Sequence, residues 1–513
     1  MLGELLKPEN NIPFLVVEPA KGEYKYAFAG VPGINIFTVT YSVGRFLKLN
    51  PFKFHPNVHV LEHLDRLIEI FNTCWEMYAA MPAILKDAIE KIYEKAGWDL
   101  MNSVYLPGGE PQYPTFKDLL NELPNVINNS GYSSDTKGDY VGALVTRVNS
   151  LTNGLIGQVF CGTYDIDDEV LFDQNTIVDL SRVGSSETKS LIMGILVLKL
   201  TEYRMGTSYA NNSALRHVTV LEEAHNLLKN MKNAPGGASA VIAKSVEMIC
   251  NSIAEMRTYG ESFILVDQSP GAVDIAAIKN TNTKIIMRLP ESSDCEAIGR
   301  SVSLNEQQIL ELSKLRTGAA VVMQNNWCDA VLAQINRYEY PYEQDITSYS
   351  GTDILRFKSA VVGELLNQYT IGSTKDMHRI LEVIESFDID YYKKEDARAM
   401  VRNVCSTLDK QWNNVVLGKV LMQYLGTESI FRRAEQIVPD MPRRAAEDTG
   451  SDVAVKEQES VKELFRFLEK EIDTLLTLNE EQRRSLIQYM VYVKAYETSE
   501  VNYDRIYRIH YVY

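Results

Sequence analysis

Cysteine is scarce in this chain: six residues are scattered over 513, and no two of them form a C-x-x-C pair. So sparse a set excludes a disulfide scaffold and reads as a reduced, cytosolic protein. No run of about 18 apolar residues occurs, which excludes a conventional membrane-spanning helix. The opening MLGELLKPENNIPFLVVEPAKGEY lacks the basic-then-apolar order of a secretory signal. Positive charge is also short, with 52 Lys+Arg against 68 Asp+Glu and a net charge of −16. That excludes a surface generally coated with nucleic acid, but not basic residues gathered on one inner face of an assembly. No nucleophile elbow or Cys/His signature supports covalent hydrolysis. The most consequential absence is the G-x-x-x-x-G-K-[ST] loop that cradles nucleotide phosphates, which occurs nowhere in the sequence.

What is present is ordinary globular composition, 45% hydrophobic and 23% charged, enough for a substantial core. The length allows about three domains, or one large α/β domain with additions. Unbroken apolar runs stand at PFLVVE (13–18), TIVDL (176–180), VTVLE (218–222), FILVD (263–267), KIIMR (284–288) and AAVVM (319–323). Such runs suit strands of a parallel sheet buried on both faces. Helical patterns at 185–206 and 238–260 lie between them. The alternation predicts an α/β fold with a mostly parallel, doubly wound sheet flanked by helices.

Residues 98–140 interrupt this rhythm with Gly, Pro, Asn and Ser, and read as a loop-rich insertion around a short helix on the sheet's rim. The sheet pattern ends near residue 345, and 346–437 reads as helical. Residues 438–460 are polar and read as a linker. Beyond it Val461, Leu464, Phe465, Leu468, Ile472, Leu475 and Leu476 recur at helical spacing. Asn479 and Gln482 form a capping-box pattern that opens a second helix. Residues 461–513 therefore read as a helical hairpin and tail, whose stripe must be buried in the core, a neighbouring copy or a partner.

Strand 218–222 runs straight into Glu222 and Glu223. Adjacent acids at the C-terminal end of a buried strand suit two tasks of phosphoryl transfer. One holds Mg²⁺, which prefers oxygen ligands, and the other polarises an attacking water. The bland alternative is an acid pair that only caps the following helix through its dipole. Two other patterns carry less. His55, His59 and His63 are spaced by four, yet Pro56, Val58 and Val60 argue against a helical metal site. GGASAVIAKS (236–245) has the wrong spacing for a phosphate loop and no strand before it.

The stretches VTVLEEAHNLL, IAEMRTYGESFILVDQSP and NTNTKIIMRLPESSDCEAIGRSVSLNEQQILELSKLRTGAAVV together resemble the HerA–FtsK class of ring-forming DNA-translocating P-loop ATPases. They are closest to its HerA-like branch, which is similar in turn to the pumping ATPases of conjugation. The resemblance covers about residues 12–340 in consistent order and implies a RecA-like core over 1–345. In that family the phosphate loop lies just before the stretch corresponding to FLVVEPAKGEY, so the sequence is expected to begin about where that loop and its helix would end. The resemblance implies ATP and Mg²⁺ as cofactors. Glu222 would hold Mg²⁺ through water, as a glutamate where the family has aspartate, and Glu223 would act on the attacking water. Gln268 would sense the γ-phosphate, and Arg257 would reach a neighbour's nucleotide. Glu18, Asn50 and Arg288 would lie near the nucleotide. It further implies a homo-oligomeric, hexameric ring on double-stranded DNA, a nuclease or effector partner, no membrane, a cytoplasmic setting, and a role in genome maintenance or anti-phage defence. Without the loop, ATP binding is expected to be weak or absent. The competing expectation is a non-catalytic scaffold or regulatory subunit; a further alternative is a loop supplied in trans by a separate short protein.

Overall fold

The computed structural model describes the chain except for residues 29–30, 32, 41–43, 79, 110, 163–164, 208–211, 232–236, 338–350, 371–376, 388, 390, 406–409, 428–429, 432, 435–450 and 498–513. Two compact units emerge, Met1–Cys161 with Ile166–Asp345, and Gly162–Asp165 with Ile346–Tyr513.

In chain order the strands of the first unit are β1 (Phe14–Glu18), β2 (Ile34–Thr38), β3 (Arg45–Phe46), β4 (Trp98–Asp99), β5 (Val104–Tyr105), β6 (Asn175–Asp179), β7 (His217–Glu222), β8 (Glu261–Val266), β9 (Thr283–Ile286), β10 (Ala319–Gln324) and β11 (Val331–Gln334). Six of them form one sheet in the order β3-β2-β6-β1-β7-β8, with every pairing parallel. The apolar runs explain its centre: Phe14 to Val17 and Val218 to Leu221 are buried along their whole length, as the middle of a covered parallel sheet requires. Helix Val60–Cys74 packs on helices Ser186–Thr207 and Gly237–Glu255. Its Leu64, Leu67 and Phe71 join strand residues Leu15, Val17, Val178 and Leu221 in one continuous core. This is the mostly parallel, helix-flanked sheet that the alternation predicted.

Two of the expected parallel strands belong elsewhere. β9 and β10, from KIIMR and AAVVM, pair antiparallel in a separate three-stranded sheet, β11-β10-β9. Its small core contains Ile286, Ile298, Ile309 and Leu312, while Ile285 is 42% exposed. An unbroken apolar run does not by itself distinguish two-sided from one-sided burial. β2, from INIFT, was not among the runs singled out.

The 98–140 stretch is more structured than loops on a rim. Helix Phe116–Asn129 opens on a capping box between Thr115 and Asp118. It buries Phe116, Leu119, Leu123 and Ile127 in the main core. Trp98 stacks among Phe54, Tyr105 and Tyr113, and its indole N–H donates to the Gln112 carbonyl at 2.8 Å. His59 caps helix Val60–Cys74 by accepting from the Leu61 amide, and His63 lies inside that helix, buried against Glu202 at 2.9 Å. These two imidazoles are thus committed to structural contacts.

The N-terminal end of the sheet is closed by a buried polar knot. Arg204 Nε donates to Glu261 Oε2 at 3.0 Å, and Glu261 Oε1 meets Thr219 Oγ1 at 2.8 Å and His217 Nδ1 at 2.7 Å. Arg204, His217 and Thr219 are fully buried. A buried charge needs such pairing to offset the loss of water.

The second unit is helical, with Gly351–Thr370, Met377–Ser386, Tyr391–Cys405, Lys410–Leu425, Ser451–Leu475 and Glu480–Glu497. The stripe from Val461 to Leu476 is buried in this unit's own core, against Val361, Leu365, Leu417 and Met490 among others. Asn479 and Gln482 exchange the two bonds of a capping box, at 2.8 and 3.1 Å. The helix beginning at Ser451 starts inside the stretch read as a linker; 438–450 and the 498–513 tail lie outside the described residues. Among the described residues no helix is long and apolar enough to cross a membrane.

Candidate functional site

Ligands of open parallel sheets bind outside the C-terminal ends of the strands. Here the register brings acids to that edge. Glu18 pairs with Asp179, and Val17 with Leu221, which sets Glu18 level with Glu222. Glu222 pairs with Val266, which sets Glu223 level with Asp267. Four neighbouring strands, β6, β1, β7 and β8, therefore end in carboxylates.

The turn after β1 ties three of these ends together. Lys21 and Gly22 both have left-handed backbone, at φ 62° and 70°. A Cβ on Gly22 would lie 2.6 Å from Ser181 Oγ, so glycine alone fits there. The turn aims the amides of Glu23 and Tyr24 at the Glu18 carboxylate, at 2.8 and 3.2 Å. The Tyr24 hydroxyl donates to Glu222 Oε1, and Lys25 Nζ donates to Asp179 Oδ2 at 2.5 Å in a fully buried pair. Burial pushes the Glu18 carboxyl up to about 7; Asp179 and Glu222 add to the rise and the two amides oppose it. Burial also raises Glu222, with the Glu223 charge behind it and Tyr24 opposing. Burial, then the bond to Glu222, raises the Tyr24 hydroxyl.

The turn after β7 is sharper. Glu223 occupies the left-handed region at φ 47°, ψ 53°, uncommon for a residue with a side chain. Its carboxylate makes no side-chain capping bond to the following turn. Instead Glu223 Oε1 accepts from Gln268 Nε2 at 2.9 Å. Asp267 Oδ2 meets both the His225 amide at 2.9 Å and His225 Nδ1 at 2.8 Å. Glu223, His225 and Asp267 each offer one ligand atom within 4.8 Å of the others.

The structure thus brings together Glu18, Glu222, Glu223 and Gln268. Three other sequence candidates make different contacts or stand elsewhere in the unit. Arg257 is exposed in the 3-10 turn Met256–Tyr259, just before β8. It is therefore at the opposite edge of the sheet from Glu223, with roughly 20 Å of strand between them. Asn50 holds a turn: its Oδ1 accepts from the Phe52 amide and its Nδ2 donates to the Pro114 carbonyl, both at 3.0 Å. Arg288 is exposed beyond β9 and donates to the Ser313 carbonyl at 3.0 Å. Sequence reasoning did not single out Tyr24, Lys25, Asp179, His225 or Asp267. The signal for both aspartates was present, since TIVD and FILVD end in acid just as VTVLE does.

The oxygen donors at this edge fit a divalent cation: Glu222 and Glu223 are partly exposed and carboxylate-rich sites suit Mg²⁺. A triphosphate fits poorly. Five carboxylates stand against Lys25, already bound to Asp179, and Lys21, whose charge acts on Glu222. The sequence supplies no phosphate-cradling loop.

This acidic C-terminal edge of a parallel, helix-flanked sheet is the chain's candidate site. No protein-family model matches the sequence. The chain is 22% identical over 303 residues to the DNA double-strand break repair helicase HerA of Sulfurisphaera tokodaii, covering 57% of this chain and 54% of that protein. It is 26% identical over 178 residues to the same-named helicase of Sulfolobus acidocaldarius, covering 34% of each. Among solved structures, VirB4 of Thermoanaerobacter pseudethanolicus is similar with a TM-score of 0.48 and 17% identity, over 66% of this chain and 84% of that one. Over these stretches the chain is similar to HerA-type helicases. It spans about half, or less, of the length of these curated relatives.

Proposed function

We propose that this chain works as part of a HerA-like, ATP-dependent DNA translocase. One observation carries the reading: three adjacent strand ends gather Glu18, Glu222, Glu223 and Gln268 at a single sheet edge. Glu222, held by Tyr24, would anchor the Mg²⁺ of the nucleotide through water. Glu223, oriented by Gln268, would accept a proton from the attacking water. Bound Mg²⁺ would supply charge compensation for the phosphates. Arg257 lies too far away to serve its own chain's site, so its role would be in a neighbour's, which suits hydrolysis between the subunits of a hexameric ring. Double-stranded DNA would be the track, a nuclease or defence effector the partner, and the cytoplasm the setting.

A second reading, a non-catalytic scaffold or regulatory subunit, is favoured by the shortage of cations facing the acids. Titration with Mg²⁺-ATP decides between them, run on the full chain alongside Glu223→Gln. Turnover that disappears in Glu223→Gln supports the enzyme. Absence of nucleotide binding by the chain alone supports the scaffold, or a site completed by another segment. Turnover that survives Glu223→Gln overturns the assignment.

A further inference from the structure

The turn after β7 and the end of β8 hold three metal-ligating side chains that differ in kind from the rest of the acid row. Glu18 and Glu222 offer oxygen alone, and they are engaged by two backbone amides and by Tyr24. One position beyond Glu222, the carboxylates of Glu223 and Asp267 have an imidazole between them, that of His225. Its Nδ1 lies 2.8 Å from Asp267 Oδ2 and 3.6 Å from Glu223 Oε2. Among the described residues no other group of three His, Cys, Asp or Glu brings its ligand atoms within 4.8 Å of one another.

The spacing suits a bound ion. Ligand atoms about 2.0–2.2 Å from a tetrahedral ion stand about 3.4 Å from one another, and the separations of 2.8 and 3.6 Å lie on either side of that value. Groups outside the trio tie down the second oxygen of each carboxylate: Glu223 Oε1 accepts from Gln268 Nε2, and Asp267 Oδ1 from the Ser269 amide, both at 2.9 Å. Ser269 is fixed in turn, its Oγ donating to Asp294 Oδ2 at 2.8 Å. Such outer donors orient metal ligands. The Asp267 side chain is 8% exposed and that of His225 38%, so the trio has a rigid floor and an open side for entry. An imidazole nitrogen among the ligands also selects the cation. Mg²⁺ takes oxygen ligands and keeps several waters, whereas Zn²⁺ accepts nitrogen and oxygen together and keeps a fourth position for water in three-ligand sites.

We propose that Glu223 Oε2, His225 Nδ1 and Asp267 Oδ2 form a Zn²⁺ site, separate from the Mg²⁺ position at Glu222, with water as the fourth ligand. Nδ1 faces two carboxylates and so carries a proton, which the ion displaces to solvent. Glu223 held in this way is no longer free to act as a base. That consequence for hydrolysis rests on the function proposed above; the binding of the ion does not.

The test is calorimetric titration of the full chain with Zn²⁺ in an excess of Mg²⁺, repeated with Co²⁺ and followed by visible absorption. The parent should bind one Zn²⁺ that Mg²⁺ does not displace, and Co²⁺ should give a tetrahedral spectrum without a thiolate band. His225→Ala should weaken Zn²⁺ binding by on the order of 100-fold. His378→Ala and Cys328→Ser, which remove an exposed imidazole and an exposed thiol elsewhere, should leave it unchanged. Should His225→Ala unfold the unit, Glu223→Gln removes a ligand while keeping the length of the side chain. Loss of binding in either folded variant supports the site, whether or not the chain hydrolyses ATP. Tight Zn²⁺ binding retained by a folded variant, displacement by Mg²⁺, one ion per two chains, or no binding by the parent overturns it and leaves the trio an ion pair. Glu222 is read separately by the Mg²⁺-ATP titration, so the two assignments fail independently.

Discussion

Glu18 offers a sharp test of the electrostatics at the sheet edge. It is 3% exposed, and burial moves its carboxyl from 4.5 to about 7 in the folded chain. A carboxyl with raised proton affinity stabilises the fold fully below its unfolded value and loses that contribution as pH rises through the folded one. The window is therefore pH 4.5 to about 7. At about 1.4 kcal/mol per tenfold change in proton affinity, ionisation costs the fold about 3 kcal/mol above that window. Glu18→Gln removes the ionisation. Its carboxamide oxygen can keep the Glu23 amide bond, but its NH₂ cannot accept from the Tyr24 amide, a loss of about 1 kcal/mol. The variant should thus be about 1 kcal/mol less stable than the parent at pH 4 and about 2 kcal/mol more stable at pH 8. Urea unfolding followed by the fluorescence of Trp75 and Trp98, both buried in the same unit, reads the difference. A difference that keeps one sign and size across this range would refute the reasoning, as would a less stable variant at pH 8.

Other expectations concern the buried pairs and the helical unit. Lys25→Met leaves Asp179 buried without its cation and should cost about 3–5 kcal/mol; adding Asp179→Asn should recover most of it in a double-mutant cycle. Arg204→Met removes the guanidinium from Glu261 at the other end of the sheet, leaving it His217 and Thr219, with a loss of about 3 kcal/mol in chemical denaturation. Leu468→Ala, at a fully buried position of the Val461–Leu476 stripe, should destabilise the second unit by about 2–5 kcal/mol. Far-UV circular dichroism of the helical transition checks that value.

The parallel centre of the fold was legible because burial on both faces leaves an unbroken apolar run, seen at β1, β6 and β7. The same rule failed at β9 and β10: a four- to six-residue apolar run looks alike whether a second layer covers it or solvent meets one side. The 98–140 stretch was misjudged because its Gly and Pro content marks its turns and says nothing of Phe116 or Trp98, whose burial depends on distant aromatic partners. At the site, Glu222, Glu223 and Gln268 could be found because strand ends carry them. Lys25 and Tyr24 could not, since their roles exist only once a left-handed turn at Lys21 and Gly22 folds them across neighbouring strands. Asn50 and Arg288 rested on resemblance alone, and the structure gives both of them contacts of a local, supporting kind.

The left-handed backbone at Glu223 has a further consequence. A residue with a side chain held there costs the fold on the order of 1 kcal/mol, which glycine or asparagine would largely recover. Exchanging Glu223 for either should therefore yield a sturdier molecule that has lost the carboxylate beside Gln268. At this one corner, resilience and chemistry pull in opposite directions, and a screen for heat tolerance alone would select against the proposed activity.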